Sequence, residues 1–314
     1  MKPEELFRNP TAPLKKVSDN FISKSGVNLF IKRLDLNHPE ISGNKWFKLK
    51  YNLIEAAKNN YKTLLTFGGA FSNHIYATAA AGRILNFKTI GVIRGEEHLP
   101  LNPTLAFVKK RGMEITYLNR TSYRDKYNSD FLSSLKSKYG NFYLIHEGGT
   151  NSLAIKGCKE IFDDINTPFD FICTACGTGG TLAGLISELK ENQTAIGFPV
   201  LKGGGFLNND INNLLKTSTG VENKNWQLIT DYHFGGYAKI KDELIEFISE
   251  FEYRNGIKLE PIYSGKMLFG IYDLIKKDYF PKGSIIIALH NGGLQGLEGL
   301  KNKLYSRKIR KSDR

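Results

Sequence analysis

The chain has 314 residues, enough for one large α/β domain or two smaller domains with separate cores. Its 41% hydrophobic and 24% charged residues exclude the disordered and fibrous classes, and no apolar run approaches the ~20 residues of a membrane-spanning helix. The net charge of +13 suggests a nucleic-acid partner, but the basic residues are scattered except in the final run from Lys301 to Arg314, so nucleic-acid binding is not favoured.

Short apolar, β-rich runs alternate with amphipathic or alanine-rich stretches along the chain. Strands are predicted over residues 27–34, 63–67, 89–93, 115–118, 142–146, 169–175, 195–200, 227–231 and 284–290. Helices are predicted between them, for example over 48–60, 73–85, 104–110, 127–139, 181–190, 239–255 and 265–277. This alternation predicts parallel sheets built from βα units.

Glycine clusters stand where several predicted strands end. They are Gly68-Gly69, Gly148-Gly149, Gly177–Gly180, Gly203–Gly205 and Gly292-Gly293. Doubly wound α/β proteins bind ligands at the carboxyl ends of their strands, so the clusters predict one ligand crevice. The alternative is that these glycines only permit tight turns.

The segment DFICTACGTGGTLAG, residues 170–184, reads as a buried strand, a glycine turn and the start of a helix. Backbone N–H groups in such a turn favour a phosphate, and Thr178 and Thr181 would add hydroxyl donors. The dinucleotide fingerprint would need a glycine where Leu182 stands, and the P-loop signature is absent. The segment therefore predicts a phosphate site for another kind of ligand.

Two further segments carry candidate chemistry. In SGNKWFKLK, residues 42–50, Lys45 follows a glycine turn, where desolvation could favour a neutral amine; the alternative is a surface lysine. In FGGAFSNH, residues 67–74, Ser72 is suited to cap a helix and, with its neighbours, to bind a carboxylate.

The three cysteines are Cys158, Cys173 and Cys176, and the last two have the spacing of a redox pair. They lie in an apolar, β-branched run, so a buried strand is the better interpretation. No second cysteine pair completes a zinc site, and no metal is expected. The first residues lack the apolar stretch of a secretory signal, so a cytoplasmic protein is expected.

The motifs SGNKWFKLK, GGAFSNH, CGTGGT, HFGGYAK, YSGK and HNGG occur in the order found in fold-type II pyridoxal-phosphate (PLP) enzymes. From about Pro13 to about Leu300 the chain resembles the 1-aminocyclopropane-1-carboxylate (ACC) deaminase and D-cysteine desulfhydrase family. The resemblance implies an α/β fold of two domains, each a twisted, mostly parallel sheet flanked by helices, with the cofactor in the interdomain cleft. It implies a large cofactor-binding domain of residues 1–49 plus 151–314, a small domain of residues 50–150, and a homodimer.

The resemblance also implies roles for single residues. Lys45 would carry PLP as a Schiff base. The implied catalytic residues are Lys45, Ser72, Tyr237 and Tyr263. The implied cofactor-binding residues are Lys45, Asn73, Cys176, Gly177, Thr178, Gly179, Gly180, Thr181 and Asn291. The implied substrate-binding residues are Ser72, Asn73, His74 and Tyr263.

Two positions depart from the family pattern. Ser264 stands where ACC deaminases have a glutamate at the ring nitrogen, and Asn291 stands where desulfhydrases have a threonine. Both residues are neutral, which favours loss of a good β leaving group over the opening of a cyclopropane. We therefore expect elimination from D-cysteine to pyruvate, sulfide and ammonia. The alternatives are ACC deamination to 2-oxobutyrate, another PLP reaction such as racemisation, and a non-catalytic phosphate-ligand or nucleic-acid-binding protein.

Overall fold

The computed structural model describes residues 1–8, 10, 12–220 and 224–297, and the basic run from Lys301 lies outside them. The described residues form two compact units. The larger unit comprises residues 10, 12–51, 150–220 and 224–294, and the smaller one comprises 1–8, 52–149 and 295–297. The predicted division into domains, 1–49 plus 151–314 and 50–150, stays a prediction.

The larger unit contains a six-stranded sheet in the order β1-β2-β10-β7-β8-β9. Its strands are β1 (Leu14–Lys16), β2 (Asn28–Lys32), β7 (Phe171–Cys176), β8 (Thr194–Pro199), β9 (Trp226–Leu228) and β10 (Ile285–Leu289). Only β1 is antiparallel to its neighbour. Ile287 of β10 pairs with Phe30 on one side and Ile172 on the other, so the centre of the sheet is apolar, as expected of buried parallel strands.

Helices flank this sheet in the larger unit. They are α2 (Asn20–Ser25), the part of α3 (Asn44–Lys58) that ends at Tyr51, α7 (Ser152–Lys159), α8 (Gly180–Ile186), α9 (Leu207–Thr219), α10 (Asp242–Asn255) and α11 (Ser264–Lys276). Helix α9 was not among the predicted helices, because its four asparagines favour turns. It forms because Leu207, Ile211 and Leu215 repeat every fourth residue and are buried together.

The smaller unit contains a four-stranded, fully parallel sheet in the order β5-β4-β3-β6. Its strands are β3 (Thr63–Gly69), β4 (Lys88–Arg94), β5 (Met113–Leu118) and β6 (Tyr143–Ile145), and its helices are α1 (Pro3–Leu6), the rest of α3, α4 (Asn73–Leu85), α5 (Pro103–Lys110) and α6 (Ser129–Tyr139). Leu65 and Phe67 belong to one apolar cluster, whereas Ile93 and Met113 belong to another with residues of α4 and α5.

The predicted α/β class with two mostly parallel sheets is confirmed. One predicted helix, 181–190, ends early, at Ile186. The amides of Glu188 and Leu189 bond to carbonyls three residues back, at 3.1 and 3.3 Å, so the chain tightens out of the α-helix there. Among the described residues, no helix has both the length and the apolar character needed to cross a membrane.

Candidate active site

The turn before α3 packs directly on the turn after β10. Gly43 has a φ of +72°, and a Cβ there would lie 1.8 Å from the carbonyl oxygen of Asn291. Gly292 has a φ of +75°, and its Cβ would lie 2.5 Å from the Ser42 hydroxyl. Glycine is required at both positions, because backbone conformation and space each exclude a side chain. This contact brings the start of α3 to the carboxyl end of β10.

Lys45 lies in the first turn of α3 and is partly buried. Its Nζ donates to Asn44 Oδ1 at 2.9 Å, and Asn44 Nδ2 donates to Thr181 Oγ1 at 2.8 Å. Burial, and to a smaller extent the charge of Lys48, lower the pKa of Lys45 to about 7. A large fraction of the amine is therefore neutral near pH 7, as attack on an aldehyde requires.

The glycine turn of residues 177–180 joins β7 to α8. A Cβ at Gly180 would lie 2.9 Å from Thr150 and 3.1 Å from Lys48 Nζ, so both side chains lie directly against the turn. Cys176, predicted to bind the cofactor, donates its Sγ hydrogen to the Thr174 carbonyl at 3.6 Å. Burial raises the pKa of the Cys176 thiol to about 12, so the thiol stays protonated, and contact of Cys176 with the cofactor stays a prediction.

Lys48 belongs to the candidate site by its contacts and is not among the residues predicted from the sequence. It is buried, and its Nζ donates to Thr150 Oγ1 at 2.7 Å and to Thr178 Oγ1 at 3.3 Å. Burial lowers the pKa of Lys48 to about 8. Its spacing from Lys45 could have indicated it, because residues three apart lie on the same face of a helix. Thr150, directly after Gly148-Gly149, was also missed.

The two candidates for the ring nitrogen have different surroundings. The Asn291 amide is buried, and its Nδ2 donates to Thr174 Oγ1 at 2.9 Å and to the Ala175 carbonyl at 3.2 Å. The Ser264 hydroxyl is also buried, and it has no hydrogen-bond partner among the described residues. Since an amide has two N–H donors and Asn291 uses both on β7, Ser264 is the better placed to donate to a ligand.

The two predicted tyrosines lie together in the larger unit. The rings of Tyr237 and Tyr263 meet edge to face, with centroids 6.1 Å apart. A Cβ at Gly177 would lie 3.4 Å from the Tyr263 ring, so this tyrosine lies against the first residue of the glycine turn. The larger unit thus groups Lys45, the glycine turn and both tyrosines.

The smaller unit holds the GGAFSNH segment. Ser72 caps α4, with its Oγ accepting hydrogen bonds from the amides of His74 (3.2 Å) and Ile75 (3.3 Å). The amide oxygen of Asn73 accepts from Gln295 Nε2 at 2.9 Å. Ser72 therefore has the structural role that its sequence allowed, and its catalytic role stays a prediction.

The ring of His74 turns towards the sheet of the smaller unit. Its Nε2 lies 2.7 Å from Thr66 Oγ1, which donates its own hydrogen to the Ile145 carbonyl at 2.8 Å. Thr66 can therefore only accept from the imidazole, and Nε2 carries the hydrogen. The imidazole is thus bonded to Thr66 and the backbone amide of His74 donates to Ser72 Oγ at 3.2 Å, so the contact of His74 with a carboxylate stays a prediction.

The groups of the larger unit fit PLP. A cluster of hydrogen-bond donors suited to a phosphate is formed by Lys48, Thr150, Thr178 and the amides of the turn. The Ser264 hydroxyl is a buried donor that has no hydrogen-bond partner among the described residues. Lys45 supplies an amine of low pKa for an aldehyde.

Comparisons with known proteins agree with this fit. The family described as "Pyridoxal-phosphate dependent enzyme" matches residues 5–292. A "Putative 1-aminocyclopropane-1-carboxylate deaminase" of Pyrococcus horikoshii is 33% identical, over 91% of this chain and 91% of that protein. The "Bifunctional D-cysteine desulfhydrase/1-aminocyclopropane-1-carboxylate deaminase, mitochondrial" of Arabidopsis thaliana is 32% identical, over 87% of this chain and 74% of that protein.

A solved structure of an ACC deaminase homologue is 30% identical and superimposes with a TM-score of 0.84, covering 97% of this chain and 98% of its own. The predicted resemblance, the enzyme class and PLP as cofactor are confirmed. The chain belongs to the pyridoxal-phosphate dependent enzymes and, within them, to the family of ACC deaminases and D-cysteine desulfhydrases.

Proposed function

We propose that this enzyme eliminates the β-substituent of a small amino acid and that its leading substrate is D-cysteine. With water, D-cysteine would give pyruvate, hydrogen sulfide and ammonia. The observation that carries the choice is the neutral character of Ser264 and Asn291, the two candidates for the ring nitrogen. A neutral partner leaves the ring a weaker electron sink, which suffices when sulfide leaves from the β-carbon.

Bound PLP would withdraw electrons from the α-carbon of the substrate, so that its proton can be removed. Lys45 is proposed to take that proton, because a pKa of about 7 leaves much of its amine neutral. Lys48, Thr178 and the amides of the glycine turn would hold the phosphate.

Ser72, Asn73 and His74 are proposed to bind the substrate, on the strength of the family resemblance. Ser72 Oγ accepts two backbone hydrogen bonds, and its own hydrogen is not used in either. That hydrogen can be donated to a substrate carboxylate or passed on as a proton. Tyr237 and Tyr263 are proposed to flank the substrate, and Asn73 to contact the ring hydroxyl.

ACC deamination is the second candidate, since the relative from Pyrococcus horikoshii carries that name and the Arabidopsis thaliana relative carries both. We also propose a cytoplasmic location and, on the resemblance alone, a homodimer.

Two assays on the purified enzyme separate the candidates. Pyruvate and sulfide would be measured from D-cysteine, with L-cysteine as the stereochemical control, and 2-oxobutyrate would be measured from ACC. The proposal expects a higher kcat/KM for D-cysteine than for either of the others. A higher kcat/KM for ACC would overturn it, and interconversion of D- and L-cysteine without sulfide release would indicate racemisation.

A further inference from the structure

A buried carboxylate lies beneath Tyr263 and Ser264. Glu260 is 2% exposed, and its oxygens accept hydrogen bonds from the backbone amides of Ile262 (2.7 Å), Tyr263 (3.0 and 3.1 Å) and Ser264 (2.6 Å). The amides of Tyr263 and Ser264 stand at the start of α11, where the helix supplies no carbonyl for them. Glu260 therefore sets the conformation of the chain at Tyr263.

A buried ammonium holds the segment that carries Tyr237. Lys266, on α11, is 1% exposed, and its Nζ donates to the carbonyls of His233 (2.9 Å) and Gly236 (2.8 Å). The same carbonyls close the local turns, because the amide of Gly236 bonds to His233 and that of Lys239 bonds to Gly236. Lys266 thus ties the turn before Tyr237 to the helix that starts just after Tyr263.

The two charges stabilise each other. Burial raises the pKa of Glu260 to about 7, opposed first by its three backbone hydrogen bonds and then by the charge of Lys266, and burial lowers the pKa of Lys266 to about 8, opposed by the charge of Glu260. Removal of either side chain would leave the other charge buried without its counter-charge, which is more unfavourable than the loss of both. Each charge also has backbone partners on a different tyrosine-bearing segment.

We propose that Glu260 and Lys266 are a charge-coupled pair of positioning residues that sets the placement of Tyr237 against Tyr263. The inference rests on the proposed function, in which both tyrosines flank the substrate. Because the rings of Tyr237 and Tyr263 meet edge to face, a shift of either segment changes the surroundings of the substrate.

The first test needs neither cofactor nor substrate. Hydrogen–deuterium exchange of the amides of residues 235–239 would be compared in the wild type, Lys266→Met and Ile275→Val. Ile275 is a buried residue of the same helix, about two and a half turns further on, so its variant reports general loosening of α11. We expect at least ~10-fold faster exchange in Lys266→Met and little change in the control. Unchanged exchange, or an equal rise in both variants, would overturn the proposal.

The second test measures the coupling. Glu260→Gln and Lys266→Met should each lower kcat by ~10-fold or more while changing KM much less, as expected when reacting groups are misplaced. In the double variant, the fold-decrease in kcat should be clearly smaller than the product of the fold-decreases in the two single variants. If the fold-decreases in kcat multiply, the two residues act independently, and the proposed coupling between Glu260 and Lys266 is disproved.

The same cycle can be measured on the urea midpoint of unfolding. The decrease in the urea midpoint of the double variant is expected to be smaller than the sum of the decreases in the two single variants. If D-cysteine and ACC both prove inert, the proposed function fails, whereas the exchange and unfolding measurements still decide whether the pair exists.

Discussion

Lys45 and Lys48 lie on one side of α3, yet their amines have different surroundings. The amine of Lys45 donates to the neutral amide of Asn44, which in turn donates to Thr181. The amine of Lys48 donates to the two threonines beside the glycine turn. The first arrangement suits a nucleophilic amine, and the second suits a cation that faces a phosphate. The two lysines are therefore assigned different roles, which single substitutions can separate.

Lys45→Ala is expected to abolish both covalent attachment of PLP and turnover, because the only proposed attachment amine and the proposed proton acceptor are the same group. The measurement is borohydride reduction of the purified enzyme, followed by peptide mass spectrometry and an activity assay. A label on Lys48 in the wild type would contradict the assignment.

Lys48→Met is expected to weaken PLP binding about 10²-fold while Lys45 still becomes labelled. Loss of a buried charge that faces an anion costs about 2–5 kcal/mol. The measurement is the dissociation constant for PLP by absorbance titration. The control is Lys50→Met, since Lys50 binds Glu160 at 2.6 Å and lies outside the phosphate cluster. Equal effects of the two substitutions would remove Lys48 from the phosphate site.

Ser72→Ala is expected to lower kcat about 10²-fold with the cofactor retained, the usual effect of losing a proton-transfer group. It also removes a helix cap, at a cost of about 1 kcal/mol. Asn102→Ala is the matched control, since Asn102 caps α5 in the same unit by accepting from the Leu105 amide at 3.1 Å. If both variants lose only stability, Ser72 is a cap and no more.

At the scale of elements, the contact between the turns before α3 and after β10 determines where Lys45 stands. Gly43→Ala should destabilise the protein more than Gly203→Ala. Both glycines have a φ of +72°, but a Cβ at Gly203 meets nothing within 4 Å, whereas at Gly43 it would meet the Asn291 backbone. Conformational strain alone costs about 1–2 kcal/mol, so the excess in Gly43→Ala measures the steric contact. Urea unfolding gives both values, and equal losses would contradict the predicted clash.

At the scale of the whole molecule, the buried lysines predict a pH dependence of stability for the cofactor-free protein. An ordinary lysine has a pKa of 10.5, whereas folding lowers the pKa of Lys45 to about 7 and that of Lys48 to about 8. Between the folded and unfolded pKa values of each lysine, the unfolded chain binds more protons at that site, so each of these two lysines makes a contribution to the free energy of unfolding that rises with pH in this window. The rise is at most about 1.4 kcal/mol per pH unit for each lysine.

Urea denaturation from about pH 7 to about pH 9.5 measures this slope. Lys45→Met should flatten it, because methionine does not titrate and retains the aliphatic volume. A slope equal to that of the wild type would show that the amine of Lys45 has an ordinary pKa.

The class of fold and the main motifs follow from local patterns of residues. Every predicted strand has a counterpart, from β2 to β10, since β-branched runs and glycine-marked strand ends are local properties of the chain. The short edge strand β1 was not predicted, because its three residues have no periodic pattern and it forms by pairing with β2. The family and the cofactor followed from the ordered motifs, and both are confirmed.

Which polar groups face one another depends on long-range packing. In the sequence, Lys48 is an ordinary helical lysine. In the folded chain its amine donates hydrogen bonds to Thr150 and Thr178, which lie 102 and 130 residues further on. Likewise, Asn291 and Ser264 are equivalent neutral residues in the sequence, and only the packing of β10 on β7 occupies both amide donors of Asn291. Hydrogen-bond partners and desolvation arise from long-range contacts, so no local pattern of residues specifies them.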